Sequence, residues 1–310
     1  MKMALNPLIS VLICTYNQEK YIAQAIESVL MQKCDEAFEM LIGDDCSTDS
    51  TGTIVDEYQT RYPNIVRVIR PEKNGGASLN MVRLIENAKG EYLSICDGDD
   101  YWLRDDILQK QLNVFRKSPD VGMVCAKAKC YIQELEEYQG TLGYAGVEDL
   151  MTMLRDNRDV AAPTIAFRTD LMRQCVKESH WYIAQNFFYD SIMAYWFAYN
   201  SKIKFIDEEI AAYRVLQNSA CHAIDSKKTR LFSKRYYMVK WHFVMTHPNI
   251  CNEEVYKMLI KDYDDRTNEI EYQTMLDIRN TKAYKIGNAI LSPLKKMFNI
   301  FKKSHETHDC

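Results

Sequence analysis

The chain has no long hydrophobic run, no excess of basic residues and few glycines. No stretch reaches about 18 consecutive apolar residues, so the sequence predicts no transmembrane helix. The 39 Lys and Arg residues against 43 Asp and Glu give a formal net charge of −4, a sign that repels nucleic-acid phosphates. We therefore expect neither a membrane-spanning protein nor a nucleic-acid partner.

Cysteine pairs with the spacing of redox or zinc motifs are also absent. The ten cysteines are scattered, none forms a C-x-x-C, and most lie in apolar runs, as Cys14 and Cys96 do. Such positions are typical of small buried side chains. The first residues show no signal-peptide core with a small-residue cleavage site. We therefore expect a protein of the reducing cytoplasm without a disulfide framework.

The first 130 residues alternate between short apolar segments and segments with helical spacing of apolar residues. Such alternation with short connections is typical of a parallel sheet with right-handed crossovers and helices on both faces. Ligands bind such sheets at the carboxyl ends of the strands. The predicted strands are Leu8–Cys14, Phe38–Gly43, Ile65–Ile69, Glu91–Cys96 and Val121–Cys125, and the predicted helices are Gln18–Gln32, Ser50–Tyr62, Ser78–Ala88 and Arg104–Lys117.

Beyond residue 130 the pattern is mixed. Short strands are predicted over Ala162–Phe167, Lys202–Ile206 and Ile210–Val215. The acidic residues 207–209 suggest a turn between the last two strands, and Phe187–Tyr199 reads as a buried helix. From about Ser226 onwards only helical segments are expected.

Polar residues follow three of the predicted strands. They are Thr15-Tyr16-Asn17, the segment Asp44–Asp49, and Asp97-Gly98-Asp99-Asp100. Carboxylates crowded on one edge repel one another unless a cation or hydrogen-bond donors lie between them. Mg²⁺ and Mn²⁺ prefer carboxylate oxygens and share their coordination shells with phosphates. Each acidic cluster could instead cap the following helix or form a tight turn.

The sequence offers no glycine-rich cradle for such a phosphate. There is no G-x-x-x-x-G-K-S/T, and the first strand is not followed by G-x-G-x-x-G. A diphosphate held without these motifs needs another source of positive charge, and a metal ion on Asp99 would supply it.

In order and spacing, these motifs resemble glycosyltransferase family 2. The resemblance rests on Thr15–Asn17, Asp44–Asp49, Asn74–Gly76 and Asp97–Asp100, and it spans roughly residues 7–220. The family typically has D-D-G-S-T-D after its second strand, whereas Cys46 replaces the glycine here. The carboxylates and hydroxyls of that motif remain.

The resemblance implies an α/β protein with the GT-A fold, in which a Rossmann-like, mostly parallel central sheet is flanked by helices. The catalytic domain would cover residues 1–222, with a nucleotide-sugar half over about 1–130 and an acceptor half over about 131–222. A helical extension would follow over 223–310. The implied activity is inverting sugar transfer from a nucleotide-diphosphate donor to an acceptor hydroxyl, in cell-surface polysaccharide or glycolipid assembly. The alternatives are a catalytically silent sugar-nucleotide-binding protein and a nucleotidyltransferase.

The resemblance also implies roles for individual residues. Tyr16 would pack against the nucleobase, and Asp45 would accept a hydrogen bond from its ring N–H, which favours uracil or thymine and therefore a UDP-sugar. Asp97 and Asp99 match the D-x-D motif that holds Mn²⁺ or Mg²⁺. The candidate nucleotide-binding residues are Thr15, Tyr16, Asn17, Asp44, Asp45, Arg70, Asn74, Asp97, Gly98 and Arg214, and the candidate metal ligands are Asp99, Asp97 and His222.

An inverting transfer needs a carboxylate that takes the proton of the attacking hydroxyl. The family supplies it at the start of a helix, a place that Tyr189-Asp190 resembles, so Asp190 is the expected catalytic base. The alternative for Asp190 is a helix N-cap or a core ion pair. Arg70 could equally be a solvated loop charge, and Arg214 could pair with Glu208 or Glu209.

The C-terminal region carries a basic amphipathic pattern. Residues 279–304 contain seven basic and no acidic residues, interleaved with apolar residues at helical spacing. Such a helix can lie on an anionic membrane surface at the inner face, or it can pack on the catalytic domain with its lysines solvated. Peripheral membrane contact would suit a lipid-linked acceptor, and a saccharide acceptor is the other expectation.

Overall fold

The computed structural model describes residues 6–156, 160–187, 189–216 and 237–267, and its sheet contains a fully buried interior strand. All seven residues of β1 (Ile9–Thr15) are buried, as expected for a strand that is covered on both faces. It pairs in parallel with β2 (Phe38–Asp44) and β4 (Tyr92–Ile95), and β3 (Val66–Ile69) extends the sheet beyond β2. These strands follow the predicted segments closely.

The other strands make the sheet mixed. They are β5 (Tyr101–Trp102), β6 (Val121–Ile132), β7 (Glu137–Leu142), β8 (Ala166–Arg168) and β9 (Lys202–Val215). β8 runs antiparallel to both β4 and β6, whereas β6 and β9 are parallel. The strand order is β3-β2-β1-β4-β8-β6-β9-β5, with β7 paired to β6.

Helices fill the connections and cover the sheet. In α1, the apolar residues Ile22, Ala25, Ile26 and Val29 recur at helical spacing and are buried. The helices of this region are α1 (Ile22–Leu30), α2 (Thr51–Arg61), α3 (Ala77–Asn87), α4 (Ile107–Lys117), α5 (Leu150–Asp156), α6 (Thr169–Glu178), α7 (His180–Ala184) and α8 (Tyr189–Asn200).

The predicted turn at residues 207–209 is wrong, because β9 continues through it. The pairing of β9 with β6 shifts register between Ile206 and Glu209, so the extra residues form an irregularity within one strand. Ion pairs accommodate the acidic side chains there: Lys127 pairs with Asp207, and Lys129 lies 3.3 Å from Glu209. The acidic run resembles a turn in the sequence, because the lysines that pair with it lie in another strand and are distant along the chain.

The predicted strand Ala162–Phe167 is also wrong in its first half. Residues Ala162–Thr164 form a 3-10 helix, and β8 begins only at Ala166. Pro163 explains the difference, because proline favours the first turn of a helix and cannot donate to a strand ladder.

Contacts divide the chain into two units, Met1–Val239 and Lys240–Cys310. The second unit, described as far as residue 267, contains a helical stretch up to residue 246 and α9 (Glu253–Thr267). The predicted end of the catalytic domain at residue 222 lies outside the described residues and stays a prediction. None of the helices in the described ranges combines the length and the hydropathy that a membrane span requires.

Candidate active site

The loops that follow β1, β2 and β4 meet at one edge of the sheet. Thr15 and Asp44 are partners in the β1–β2 register. The N–H of Asp45 donates to the Thr15 carbonyl at 3.1 Å, and the N–H of Gly98 donates to the Cys14 carbonyl at 2.9 Å. Main-chain hydrogen bonds to the end of β1 therefore hold the two acidic motifs on either side of it.

Asp44 is buried and fixes the start of the β2 loop. Its carboxylate accepts from the Ser47 N–H at 3.0 Å and from Arg70 Nε at 2.9 Å. Arg70 also donates to Asp56 at 2.9 Å and to the Gly52 carbonyl at 3.0 Å. These contacts give Arg70 a structural role beside Asp44, and its contact with a diphosphate stays a prediction.

Asp45 organises the glycine turn that precedes α3. Only 2% of Asp45 is exposed, and its Oδ2 accepts from the N–H groups of Gly75 at 3.0 Å and Gly76 at 2.7 Å. Asn74 Nδ2 donates to the Asp45 carbonyl at 3.0 Å, and Arg83 lies 3.7 Å from the carboxylate. These contacts, which we call the Asp45 clamp, fix the orientation of the carboxylate, whose two oxygens together can accept about four hydrogen bonds.

The β1 loop is joined to the β2 loop through Asn17. Its N–H donates to Ser47 Oγ at 3.0 Å, and its Oδ1 accepts from the Thr48 N–H at 2.7 Å. Tyr16, next to it, is 47% exposed and offers an aromatic surface to solvent beside these loops. That position suits the predicted stacking on a nucleobase.

Gly98 allows the D-x-D segment to lie directly against the β1 loop. A Cβ at this position would stand 2.9 Å from both the Cys14 carbonyl oxygen and Thr15 Cβ, so a larger residue would force the loops apart. Asp97 and Asp99 are half-buried on either side of it, and Asp100 is buried.

The acidic side chains of this segment repel one another. Burial raises the pKa of Asp99. Burial together with the neighbouring charges of Asp99 and Asp97 raises the pKa of Asp100 well above its ordinary value. A cation beside these carboxylates would relieve that repulsion.

The donor chemistry of this edge fits a hard divalent cation bound together with phosphates. Thr15 Oγ1 and Gln18 Oε1 are buried beside Gly98 and have no hydrogen-bond partner among the described residues. No group of three or more His, Cys, Asp or Glu side chains that could hold a metal occurs in the described part of the chain. Asp97 and Asp99 would therefore share the ion with ligand oxygens, as Mg²⁺ sites commonly do. The third candidate ligand, His222, lies outside the described residues.

Arg214 is bound to the D-x-D segment. Only 5% of Arg214 is exposed; its N–H donates to Asp100 Oδ1 at 2.7 Å, and its Nε donates to the Asp99 carbonyl at 2.6 Å. The alternative pairing with Glu208 or Glu209 is not formed, because Glu208 pairs with lysine and arginine side chains and Glu209 with a lysine. Arg214 therefore brings a buried positive charge to the acidic motif.

Three tyrosines enclose the Arg214 guanidinium. Its central carbon lies 4.7 Å from the ring centroid of Tyr21, 5.2 Å from that of Tyr101 and 5.3 Å from that of Tyr131. Such cation–π contacts favour the charged group in a buried position. A cavity of about 430 Å³ lies here, lined by Lys20, Tyr21, Gln24, Tyr101, Tyr131, Gln133 and Arg214.

Asp190 is the second residue of α8 and is half-buried. Burial raises the pKa of its carboxyl group, while the Ser191 N–H, which donates to Oδ1 at 2.8 Å, opposes that rise. No ion pair to Asp190 is present within the described ranges, so the alternative of a core ion pair gains no support there. Its role as catalytic base stays a prediction.

Two residues of the site gave little signal in the sequence. The sequence predicts no separate role for Asp100, yet its carboxylate accepts a hydrogen bond from the Arg214 main-chain N–H. Gln18 gave no signal, because only the fold brings its side chain against Gly98.

Residues 10–183, more than half of the chain, match the family described as Glycosyl transferase family 2. The chain belongs to this family. TuaG of Bacillus subtilis, whose name assigns it as a glycosyltransferase to teichuronic acid biosynthesis, is 40% identical over 107 residues, which are 34% of this chain and 41% of TuaG. The matched segments cover 32% to 49% of the length of the first curated relatives.

Solved structures share the fold of this family 2 member. TarS of S. aureus in complex with UDP aligns with a TM-score of 0.58 and 19% identity, covering 88% of this chain and 78% of that one. A mannosyltransferase from Pyrobaculum calidifontis, in complex with GDP-Man and Mn²⁺, aligns with a TM-score of 0.52 and 14% identity, covering 94% and 88%. The predicted GT-A fold is confirmed.

The one departure from the D-D-G-S-T-D pattern of family 2 falls on a left-handed backbone. Cys46 has φ +63°, a conformation that glycine adopts without strain and that costs other residues about 1–2 kcal/mol. The Cys46 thiol donates to the Pro71 carbonyl at 3.3 Å. The left-handed backbone at residue 46 therefore explains why the family pattern has glycine there. The hydrogen bond from the Cys46 thiol offsets part of the backbone strain.

We expect Cys46→Gly to be more stable than Cys46→Ala by about 1 kcal/mol, although alanine normally stabilises a chain relative to glycine. Both variants lose the thiol contact, so the comparison isolates the left-handed backbone. Urea unfolding of the two variants and the wild type measures the difference. Equal stability, or a more stable alanine variant, would contradict the strain assigned to residue 46.

Proposed function

We propose that this chain is an inverting glycosyltransferase that moves a sugar from a nucleotide-diphosphate donor to an acceptor hydroxyl. The proposed donor is a UDP-sugar. The observation that carries the proposal is the junction at the end of β1, where the main chains of Asp45 and Gly98 bond to Thr15 and Cys14. This junction brings the Asp45 segment, which would recognise the base, and the D-x-D segment to one edge of the sheet. The UDP complex of the structural neighbour TarS supports the choice of donor.

The donor nucleotide would lie across the β1 and β2 loops. Tyr16 would stack on the base, and Asp45 would accept from a ring N–H that uracil and thymine both possess. Asn17 holds the two loops together, and Asn74 belongs to the Asp45 clamp. Thr15 and Gly98 would line the floor beneath the diphosphate, next to the buried oxygen atoms that have no hydrogen-bond partner among the described residues.

Asp97 and Asp99 would hold Mn²⁺ or Mg²⁺, with His222 as a further candidate ligand. When bound, such an ion neutralises charge on the departing diphosphate. Arg214 adds a fixed positive charge at the same motif through its bond to the Asp99 carbonyl. The Mn²⁺ complex of the mannosyltransferase neighbour supports a metal of this class.

Asp190 would act on the opposite face of the sugar. Its carboxylate would accept the proton of the acceptor hydroxyl as that oxygen attacks the anomeric carbon. The bond from the anomeric carbon to the diphosphate oxygen breaks at the same time, and the nucleoside diphosphate leaves with that electron pair. Attack from the face opposite the leaving group inverts the anomeric configuration.

The acceptor is proposed to be a saccharide or a lipid-linked saccharide of cell-surface polysaccharide or glycolipid assembly. The assignment of TuaG to teichuronic acid biosynthesis supports this context. Peripheral membrane contact through residues 279–304 stays a prediction, because that segment lies outside the described residues.

A panel of UDP-, dTDP- and GDP-sugars, each with Mn²⁺, Mg²⁺ or chelator, tests the proposal. We expect a UDP-sugar to raise the midpoint of thermal unfolding only when metal is present, because the metal would hold the diphosphate on Asp97 and Asp99. A ligand at about 100 times its Kd stabilises the native state by about 2.7 kcal/mol. Asp99→Asn should lose the metal-dependent part of this shift. The proposal fails if no nucleotide sugar stabilises the protein, and stabilisation without release of nucleoside diphosphate would favour the catalytically silent alternative.

Replacement of Asp190 by Asn tests the base. We expect kcat to fall by about 100- to 10,000-fold while donor affinity changes little, because the amide keeps the shape but cannot take the proton. Asp170→Asn is a matched control, since Asp170 also lies in the first turn of a helix and its Oδ1 accepts from the next N–H at 2.8 Å. Near-normal turnover in Asp190→Asn would refute the assignment.

The pH dependence of kcat/KM gives a second test of Asp190. The base must be ionised, and burial raises its pKa in the folded protein, so activity should be lost as pH falls through a value above the ordinary aspartate pKa of about 3.9. Circular dichroism over the same range separates this titration from acid unfolding. An acid limb at or below the ordinary value would contradict a buried aspartate as the base.

A further inference from the structure

Asn186 ends α7 in a left-handed conformation, with φ +50°. Its N–H donates to the Ile183 carbonyl at 3.0 Å, and the N–H of Phe187 donates to the Tyr182 carbonyl at 3.1 Å. This is the pairing of a Schellman helix end, in which the left-handed residue is usually glycine and sometimes asparagine. The helix end by itself gives no reason for the Asn186 amide.

The amide of Asn186 instead caps a different helix. Gly76 is the N-cap residue of α3 and has no side chain to offer the first N–H groups. Asn186 Oδ1 accepts from the Ser78 N–H at 3.1 Å, so a residue 108 positions away supplies the missing cap. Ser78 Oγ returns a hydrogen bond to the Phe187 carbonyl at 2.8 Å. We call this pair of bonds the Asn186 latch.

Gly76 connects the Asn186 latch to the Asp45 clamp. Its φ of +85° and ψ of 167° lie in a region that essentially only glycine adopts. A Cβ at Gly76 would stand 2.6 Å from Asn186 Nδ2, so the amide packs directly on the glycine. The N–H of the same glycine donates to Asp45 Oδ2 at 2.7 Å. One residue thus contacts both the clamp and the latch.

Asp190 follows Asn186 by four residues and begins α8 with Tyr189. We propose that Asn186 is a positioning residue, whose latch to α3 fixes the segment that carries Asp190 relative to the Asp45 clamp that holds the donor base. The catalytic consequence rests on the proposed function. A misplacement of about 1 Å between base and donor can cost about 100-fold in rate.

Three variants test the latch. Asn186→Gly removes the amide but keeps the left-handed helix end without strain, and Asn186→Asp keeps an acceptor oxygen at the N-terminus of α3. Glu136→Gly is the control, since Glu136 is exposed and also has a positive φ, +54°, in the turn between β6 and β7. It relieves similar strain away from the clamp.

We expect Asn186→Gly to lower kcat by about 10- to 100-fold, with a smaller change in donor affinity. Amide hydrogen exchange of Gly76 and Ser78 should accelerate in this variant. Thermal stability should change little, because relief of the left-handed strain offsets the lost cap. Asn186→Asp should keep most of the turnover and the slow exchange, and Glu136→Gly should match the wild type in both.

The proposal is overturned if Asn186→Gly keeps wild-type kcat, whether or not exchange changes, or if Asn186→Asp is damaged as severely as Asn186→Gly. Failure of the proposed function has a different signature, since the wild type itself would then transfer no sugar from any donor. In that case, unchanged exchange in Asn186→Gly would still refute the latch as a structural link.

Discussion

The hydrogen bond from the Asp45 N–H to the Thr15 carbonyl is the constraint on which the candidate site depends. It continues the β1–β2 ladder past the end of β2, so the chain turns out of the sheet at a defined place. Gly98 uses the preceding carbonyl of β1, that of Cys14, on the other side. A slip of β1 by one residue would turn its side chains to the opposite face and separate the two acidic loops. The buried Ser10 hydroxyl, which donates to Glu39 at 2.8 Å and accepts from the Gly90 N–H at 2.9 Å, opposes such a slip.

The parts of the fold that sequence reasoning predicts best are those that a short segment specifies by itself. The apolar runs of β1, β2 and β4 predict a buried parallel sheet, and the carboxyl ends of parallel strands share one edge. Together, the buried strands and their shared edge predict that the acidic motifs lie close to one another. In contrast, the acidic residues of β9 look like a turn until the lysines of β6 are placed opposite them. The spacing of residues along the sequence does not predict which lysines will lie opposite these acidic side chains.

Arg214 shows the same limit within the site. The sequence around Arg214 is compatible with a diphosphate contact or with an ion pair to Glu208 or Glu209. The spacing of residues in the sequence does not predict the three tyrosine rings that surround its guanidinium. Those rings come from the start of α1, from β5 and from β6, which only the curled sheet brings together. Asp100 depends on the same closure, since its partner is a main-chain N–H more than a hundred residues away.

Backbone strain marks the same region independently of charge. Among the residues that the structure describes, four other than glycine have positive φ, and three of them, Asn17, Cys46 and Asn186, belong to the loops of the site or to its latch. Asparagine tolerates this conformation better than most residues, and cysteine does not. Strain of this kind persists only where surrounding contacts fix the chain, and the side chain of each of these three residues bonds to the main chain of a segment distant in sequence. The strained positions therefore join segments that the parallel sheet alone would leave as separate loops.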